Sequence, residues 1–151
     1  MKAAGFTGGI RDNGTAILKG DFAGYKECYI YVSTLQKKDL VSSIGVMFPE
    51  YSSWSTLVGH YNKLKEMLTT KYGEPSEVIE EFQHPNFADD DSSKLYELKS
   101  DRFHYSSRFD TEKGALVLRL ITDDYNDCHV FLGYYDKINS LEVEAAAMED
   151  L

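Results

Sequence analysis

The chain has 151 residues, of which 42% are hydrophobic and 27% charged, and its formal net charge is −9. This length suits a single domain with a buried core. The negative charge argues against nucleic-acid binding, and no apolar run is long enough to predict a membrane span.

Four short strands are predicted before residue 50, because polar and apolar residues alternate there between turn signals. Asn13-Gly14 favours the tight turn that joins the first two strands into a hairpin. Short connections of this kind predict an antiparallel meander. The four strands are predicted at residues 6–12, 15–22, 25–34 and 40–48.

Three tyrosines of the third predicted strand form a candidate aromatic surface. Tyr25, Tyr29 and Tyr31 have the same parity, opposite to Cys28 and Ile30. Solvent-facing tyrosines at this spacing suit stacking on sugar rings or contact with a peptide partner. The alternative is that these side chains pack under the helix or a loop.

One long amphipathic helix is predicted at about residues 53–72. Ser53 suits the N-cap, while Gly73 and Pro75 suit the end of the helix. His60 is assigned to the polar side of this helix, with Lys63, Glu66 and Thr70. The apolar stripe, with the 3.6-residue period of a helix, consists of Trp54, Leu57, Val58, Tyr61, Leu64 and Leu68.

The second half of the chain again shows strand-like segments, interrupted by an acidic loop, "HPNFADDDSS". This order predicts an α+β fold, in which about eight short strands form an antiparallel sheet with the long helix packed on one face. Residues 1–138 are predicted to form one domain, followed by an acidic tail, 139–151, that is helical or frayed. The later strands are predicted at residues 78–83, 95–99, 102–109, 115–122 and 128–135.

A basic stripe on the last three strands is the main candidate ligand site. Arg102, His104 and Arg108 share one parity, and pairing of consecutive strands brings Arg119 and His129 towards them. Arginine and histidine side chains that converge on one face bind carboxylate, sulfate or phosphate groups. The alternative is a solvated face on which the arginines pair with nearby acids.

The remaining candidate sites are weaker. Cys28 and Cys128 occupy apolar strand positions, which suits two buried thiols, a long-range disulfide in an exported protein, or a catalytic thiol. The acidic runs at 89–91 and 123–127 lack the ligand spacing of a calcium loop, so no metal site is predicted. No cofactor-binding motif and no catalytic motif is recognised either.

Three segments of the chain resemble a family of small hypothetical proteins from gut-dwelling bacteria, whose function is not established. They are "GDFAGYKECYIYV", "VMFPEYSSWSTLVGHYNKLKEMLTTKYGEP" and "GALVLRLITDD" with the following "CHVFLGYYDKIN". The resemblance covers about residues 3–140 and is most specific in the helix with its "KYGEP" exit. It implies no catalytic or binding residues.

The resemblance also bears on localisation. Family members begin with an export signal and a short helix that ends in a motif like "KAKGF", and "KAAGF" at residues 2–6 looks like the last turn of that helix. The full-length protein is therefore expected to be exported or periplasmic. If Met1 is the true start, the expected location is the cytoplasm.

The function predicted from these observations is a small, non-enzymatic binding module for an anionic small molecule or a protein partner. One alternative is an acidic inhibitor or immunity-type protein that docks on a basic partner through residues 86–91 and 123–127. A second alternative is an enzyme of unrecognised type centred on the basic stripe.

Overall fold

The computed structural model describes residues 7–10, 15–35, 40–82, 90–100 and 103–136. It confirms the predicted α+β fold, with a long helix packed against an eight-stranded antiparallel sheet. The strands are β1 (Thr7–Ile10), β2 (Thr15–Phe22), β3 (Tyr25–Leu35), β4 (Leu40–Met47), β5 (Glu77–Phe82), β6 (Phe103–Asp110), β7 (Gly114–Thr122) and β8 (Cys128–Asp136), and the helices are α1 (Trp54–Tyr72) and α2 (Asp91–Lys99).

The sheet consists of two four-stranded meanders that meet in the middle. Its strand order is β1-β2-β3-β4-β8-β7-β6-β5, and every neighbouring pair is antiparallel. The two meanders join where β4 pairs with β8, with Gly45 opposite Gly133. Helix α1 carries the chain from the central strand β4 to the far edge strand β5.

The two faces of the sheet differ in what covers them. On one face, which we call the helix face, α1 and α2 pack against β6, β7 and β8. The other face, which we call the open face, carries the strand residues of opposite parity. Cys28 and Cys128 are both buried free thiols. The helix face and the buried side of α1 share one apolar core, whose most buried members include Cys28, Phe48, Leu57, Tyr61, Phe109, Leu118 and Val130.

Helix α1 begins and ends where the sequence predicts. The Ser53 hydroxyl accepts a hydrogen bond from the Thr56 N–H, and the Gly73 N–H donates to the Thr69 carbonyl. Gly73 has a φ of 90°, a conformation that glycine adopts without a Cβ clash.

The assignment of His60 to the polar side of α1 is wrong. Its side chain is buried and stacks on the Tyr25 ring, with the ring centroids 3.8 Å apart. The reason is helical geometry, because His60 lies three residues after Leu57 and four before Leu64, inside the buried arc. Neither ring nitrogen of His60 has a hydrogen-bond partner among the residues that the structure describes.

The predicted strand at residues 95–99 is also wrong, because these residues end helix α2. The Asp90 carboxylate accepts a hydrogen bond from the Ser93 N–H at 2.7 Å and caps the first turn. The end of the acidic run is therefore a helix start. The Asn13-Gly14 turn, Arg102 and the tail 139–151 lie outside the described residues.

The tyrosine stripe of β3 is divided between the two faces. Gly20 pairs with Cys28 and Phe22 with Tyr25, so β3 has one residue more than β2 between these pairs, and Glu27 there has a φ of 57°. This irregularity turns Tyr25 to the helix face, where it contacts Phe48 and His60. The prediction of one face for all three tyrosines is therefore wrong for Tyr25, whereas Tyr29 and Tyr31 lie on the open face.

Candidate functional site: a cleft between two strands

Strands β6 and β7 separate towards one end of the sheet. They pair from Asp110 opposite Ala115 to Ser106 opposite Arg119. Beyond this point β6 stays paired with β5 as far as Phe103, and β7 stays paired with β8 as far as Thr122. A cleft of about 670 Å³ lies at this separation, lined by both strands, the end of α2 and the β7–β8 turn. This volume is in the range of small-molecule sites.

Three basic side chains from three elements line the cleft. They are Lys99 at the end of α2, His104 on β6 and Arg119 on β7. His104 and Arg119 belong to the open face, because their strand neighbours Tyr105 and Leu118 lie on the helix face, where Tyr105 packs against α1 and Leu118 is buried. The separation of the two strands therefore brings together basic side chains that lie far apart in the sequence.

Arg119 forms no salt bridge among the described residues. Its guanidinium carbon lies 5.1 Å from the centroid of the Phe131 ring. That ring lies close over the backbone of Gly45, where an added Cβ would come within 2.5 Å of it. A cation–π contact holds the guanidinium in place and leaves its N–H groups able to donate to a ligand.

The acidic side chain that lines the cleft is already engaged. The Asp123 carboxylate accepts hydrogen bonds from the N–H groups of Tyr125 and Asp127, both at 2.9 Å, and lies 2.8 Å from Nε2 of His129. Burial by itself would raise the pKa of the Asp123 carboxyl, but the hydrogen bonds outweigh this and lower it. Asp123 therefore stays ionised as part of the turn.

His129 does not line the cleft, although the sequence predicts it there. Its side chain is buried, with Nδ1 2.7 Å from the Phe48 carbonyl oxygen and Nε2 against Asp123. A carbonyl oxygen only accepts, so Nδ1 carries the proton of that bond. His129 thus ties the end of β4 to the β7–β8 turn.

Arg108 lies further along β6, away from the lining of the cleft. Its Nε donates to the Asp110 carboxylate at 3.0 Å, and it lies opposite Glu77 of β5. His104 has an acidic neighbour too, because Glu81 lies opposite it on β5. Of the five predicted basic residues, the structure brings His104 and Arg119 together at the cleft, and Arg102 lies outside the described residues.

Lys99 is the cleft residue that sequence reasoning missed. The strand predicted at residues 95–99 does not assign Lys99 to a face of the sheet. In the structure, helix α2 ends at Lys99, beside the cleft. The signal that predicts this helix is the cap formed by Asp90 with Ser93, three residues later.

The β7–β8 turn also forms an exposed acidic corner. Tyr125 is 87% exposed at its tip. The Glu50 carboxyl has a raised pKa, chiefly because it shares a hydrogen bond with Asp127 and because that carboxylate repels its charge. Among the described residues, no group of three histidine, cysteine, aspartate or glutamate side chains is placed to hold a metal ion.

No helix in the described ranges is both long and apolar enough to cross a membrane. No protein-family model, curated protein or solved structure matches the chain. The geometry of the cleft is therefore the main evidence on function.

Proposed function

We propose that the protein is a small, non-enzymatic binding module that holds an anionic group in the cleft between β6 and β7. One observation carries the proposal: Lys99, His104 and Arg119 line a single cavity, and the acid beside them, Asp123, is engaged by the turn and by His129. A carboxylate, phosphate or sulfate group supplies acceptors for these donors.

The net charge of −9 does not oppose a small ligand. Screening at physiological salt limits the reach of an exposed charge to about 8 Å. A small anion in the cleft therefore responds mainly to the basic residues around it, with Glu81 beside His104 as the nearest opposing acid on β5. A long polyanion would meet the whole negative surface and is disfavoured.

Two titratable side chains of the cleft, Tyr105 and Asp123, are unsuited to proton transfer near neutral pH. Both line the cleft with shifted pKa values. Burial raises the pKa of the Tyr105 hydroxyl, so it stays protonated, and the lowered pKa of Asp123 keeps that carboxyl ionised. Neither group is poised to exchange a proton near neutral pH, as a general acid or base must be.

The test is thermal unfolding with phosphate, sulfate or acetate present. Binding at about 100 times the Kd adds about 2.7 kcal/mol to the free energy of unfolding, a shift of several degrees. Arg119→Gln is expected to abolish the shift. Arg108→Gln is the matched control, because Arg108 lies on the same face but outside the cleft.

Two results would overturn the proposal. One is the absence of a specific shift with any of the three anions. The other is an equal loss of the shift in both variants, which would indicate general charge screening.

A further inference from the structure

The cleft has two chemically different sides, because alternate residues of each strand face opposite sides of the sheet. On the open face, its lining includes the polar side chains of His104, Ser106 and Arg119 and the apolar side chains of Val117 and Ile121. On the helix face, its lining includes Leu120, which is 7% exposed, and Leu98 of α2, which is 5% exposed. Basic and polar groups thus lie at the mouth of the cleft, and apolar side chains lie both at the mouth and on the floor.

The floor is fixed by the core. Leu98 and Leu120 belong to the same apolar cluster as the buried stripe of α1, and Tyr105 packs edge-on against Trp54 and Tyr61. Because these contacts hold the floor in place, an apolar group that enters the cleft meets a preformed surface. Burial of such a group gains about 25 cal/mol per Å² of apolar surface.

We infer that the ligand is an amphiphilic organic anion, with one carboxylate head and an apolar body of several carbons. This inference rests on the proposed function and names its ligand class. The carboxylate head of the ligand binds Arg119 and His104 at the mouth of the cleft. Its apolar body lies between β6 and β7 and contacts Leu98 and Leu120. The volume of about 670 Å³ is far larger than acetate or phosphate requires.

The experiment is calorimetric titration of the whole chain with straight-chain carboxylates from acetate to octanoate. Each added methylene is expected to tighten binding roughly fourfold, until the body fills the cleft. Suberate, the dicarboxylate of the same length as octanoate, is the matched probe, and it is expected to bind more weakly because its second charge meets the apolar floor. Equal or tighter binding of suberate would contradict the inference.

Variants separate the head from the body. Leu98→Ser is expected to flatten the dependence on chain length while acetate binding stays the same. Ile121→Ser is a second variant, which removes apolar surface from the open-face side of the lining and serves if Leu98→Ser does not fold. Arg119→Gln is expected to weaken every member of the series.

The outcomes also distinguish this inference from the function on which it rests. If acetate and phosphate bind through Arg119 but longer chains bind no tighter, the ligand class is wrong and the anion site stands. If octanoate binds tightly and Arg119→Gln has no effect, both proposals are wrong. If no member of the series and no inorganic anion binds, both are likewise overturned.

Discussion

Lowering the pH from 7.5 to 4.5 is expected to destabilise the protein through His60. This side chain is buried among the rings of Tyr25, Phe48 and Tyr51, and within the described part of the chain neither of its nitrogens has a hydrogen-bond partner. Burial, with a smaller contribution from the nearby charge of Lys63, lowers its pKa from 6.5 to about 4. As the pH falls, His60 therefore becomes protonated in the unfolded state at a higher pH than in the folded state.

The sign and the size of the effect follow from this difference. Above pH 6.5 His60 is neutral in both states, so its full contribution to stability is present. Between pH 6.5 and about 4 the unfolded state binds more protons, and stability falls as the pH falls. The total loss is about 3 kcal/mol, because one pKa unit corresponds to about 1.4 kcal/mol.

The assay is urea unfolding at several pH values for the natural chain and for His60→Phe. The variant keeps a ring against Tyr25 but cannot titrate. Other groups titrate in both proteins, including Asp123 and Glu50, so their contributions cancel when the two pH profiles are subtracted. The reasoning is refuted if the two proteins lose stability equally between pH 7.5 and 4.5.

Three further changes test the packing. Gly114→Ala is expected to cost about 2 kcal/mol of stability, because the new Cβ would lie 2.1 Å from the Tyr135 carbonyl oxygen. Gly45→Ala is expected to cost less, because its new Cβ meets the half-buried ring of Phe131, which can move. Equal costs in urea unfolding would contradict this difference. Tyr61→Phe leaves the buried Ser107 hydroxyl without its partner and is expected to cost about 1–2 kcal/mol, less when combined with Ser107→Ala. Asp123→Ala is expected to cost about 2 kcal/mol near neutral pH, by the same assay, and progressively less as the pH falls below the ordinary aspartate pKa of 3.8.

The long helix and the sheet were predictable because they depend on local signals. The apolar stripe of α1, its Ser53 cap and its Gly73 end all follow from periodicity and backbone conformation. Alternation in the strands likewise identified the open-face parity of His104 and Arg119.

The errors arose where a non-local contact or one extra residue decides the outcome. A single irregularity at Glu27 reverses the side of Tyr25, and an alternation pattern contains no sign of it. His60 was assigned by its polarity, although its position on the helix places it in the buried arc. For Tyr25 the extra residue overrides the alternation of the strand, whereas for His60 the helical period outweighs the polarity of the side chain.

The cleft itself was not predictable from the sequence. It exists because β6 and β7 stop pairing at Ser106 and Arg119 while each continues beside its other neighbour. Strand pairing of this kind depends on residues far apart in the chain, so a single sequence does not reveal where a pair separates. The resemblance to the family of exported proteins stays a prediction. Mass spectrometry of the mature protein from its native host would test the export that this resemblance implies, because it shows whether an N-terminal signal is removed.

The most direct test of the anion-binding cleft is a backbone NMR titration with octanoate and with phosphate. Both ligands are expected to shift the amide signals of residues 98–99, 104–106, 117 and 119–123, which line the cleft. The amide signals of β1, β2 and β3, which lie towards the opposite edge of the sheet, are expected not to shift. Shifts centred elsewhere, or shifts that persist unchanged in Arg119→Gln, would contradict the assignment of the cleft as the binding site.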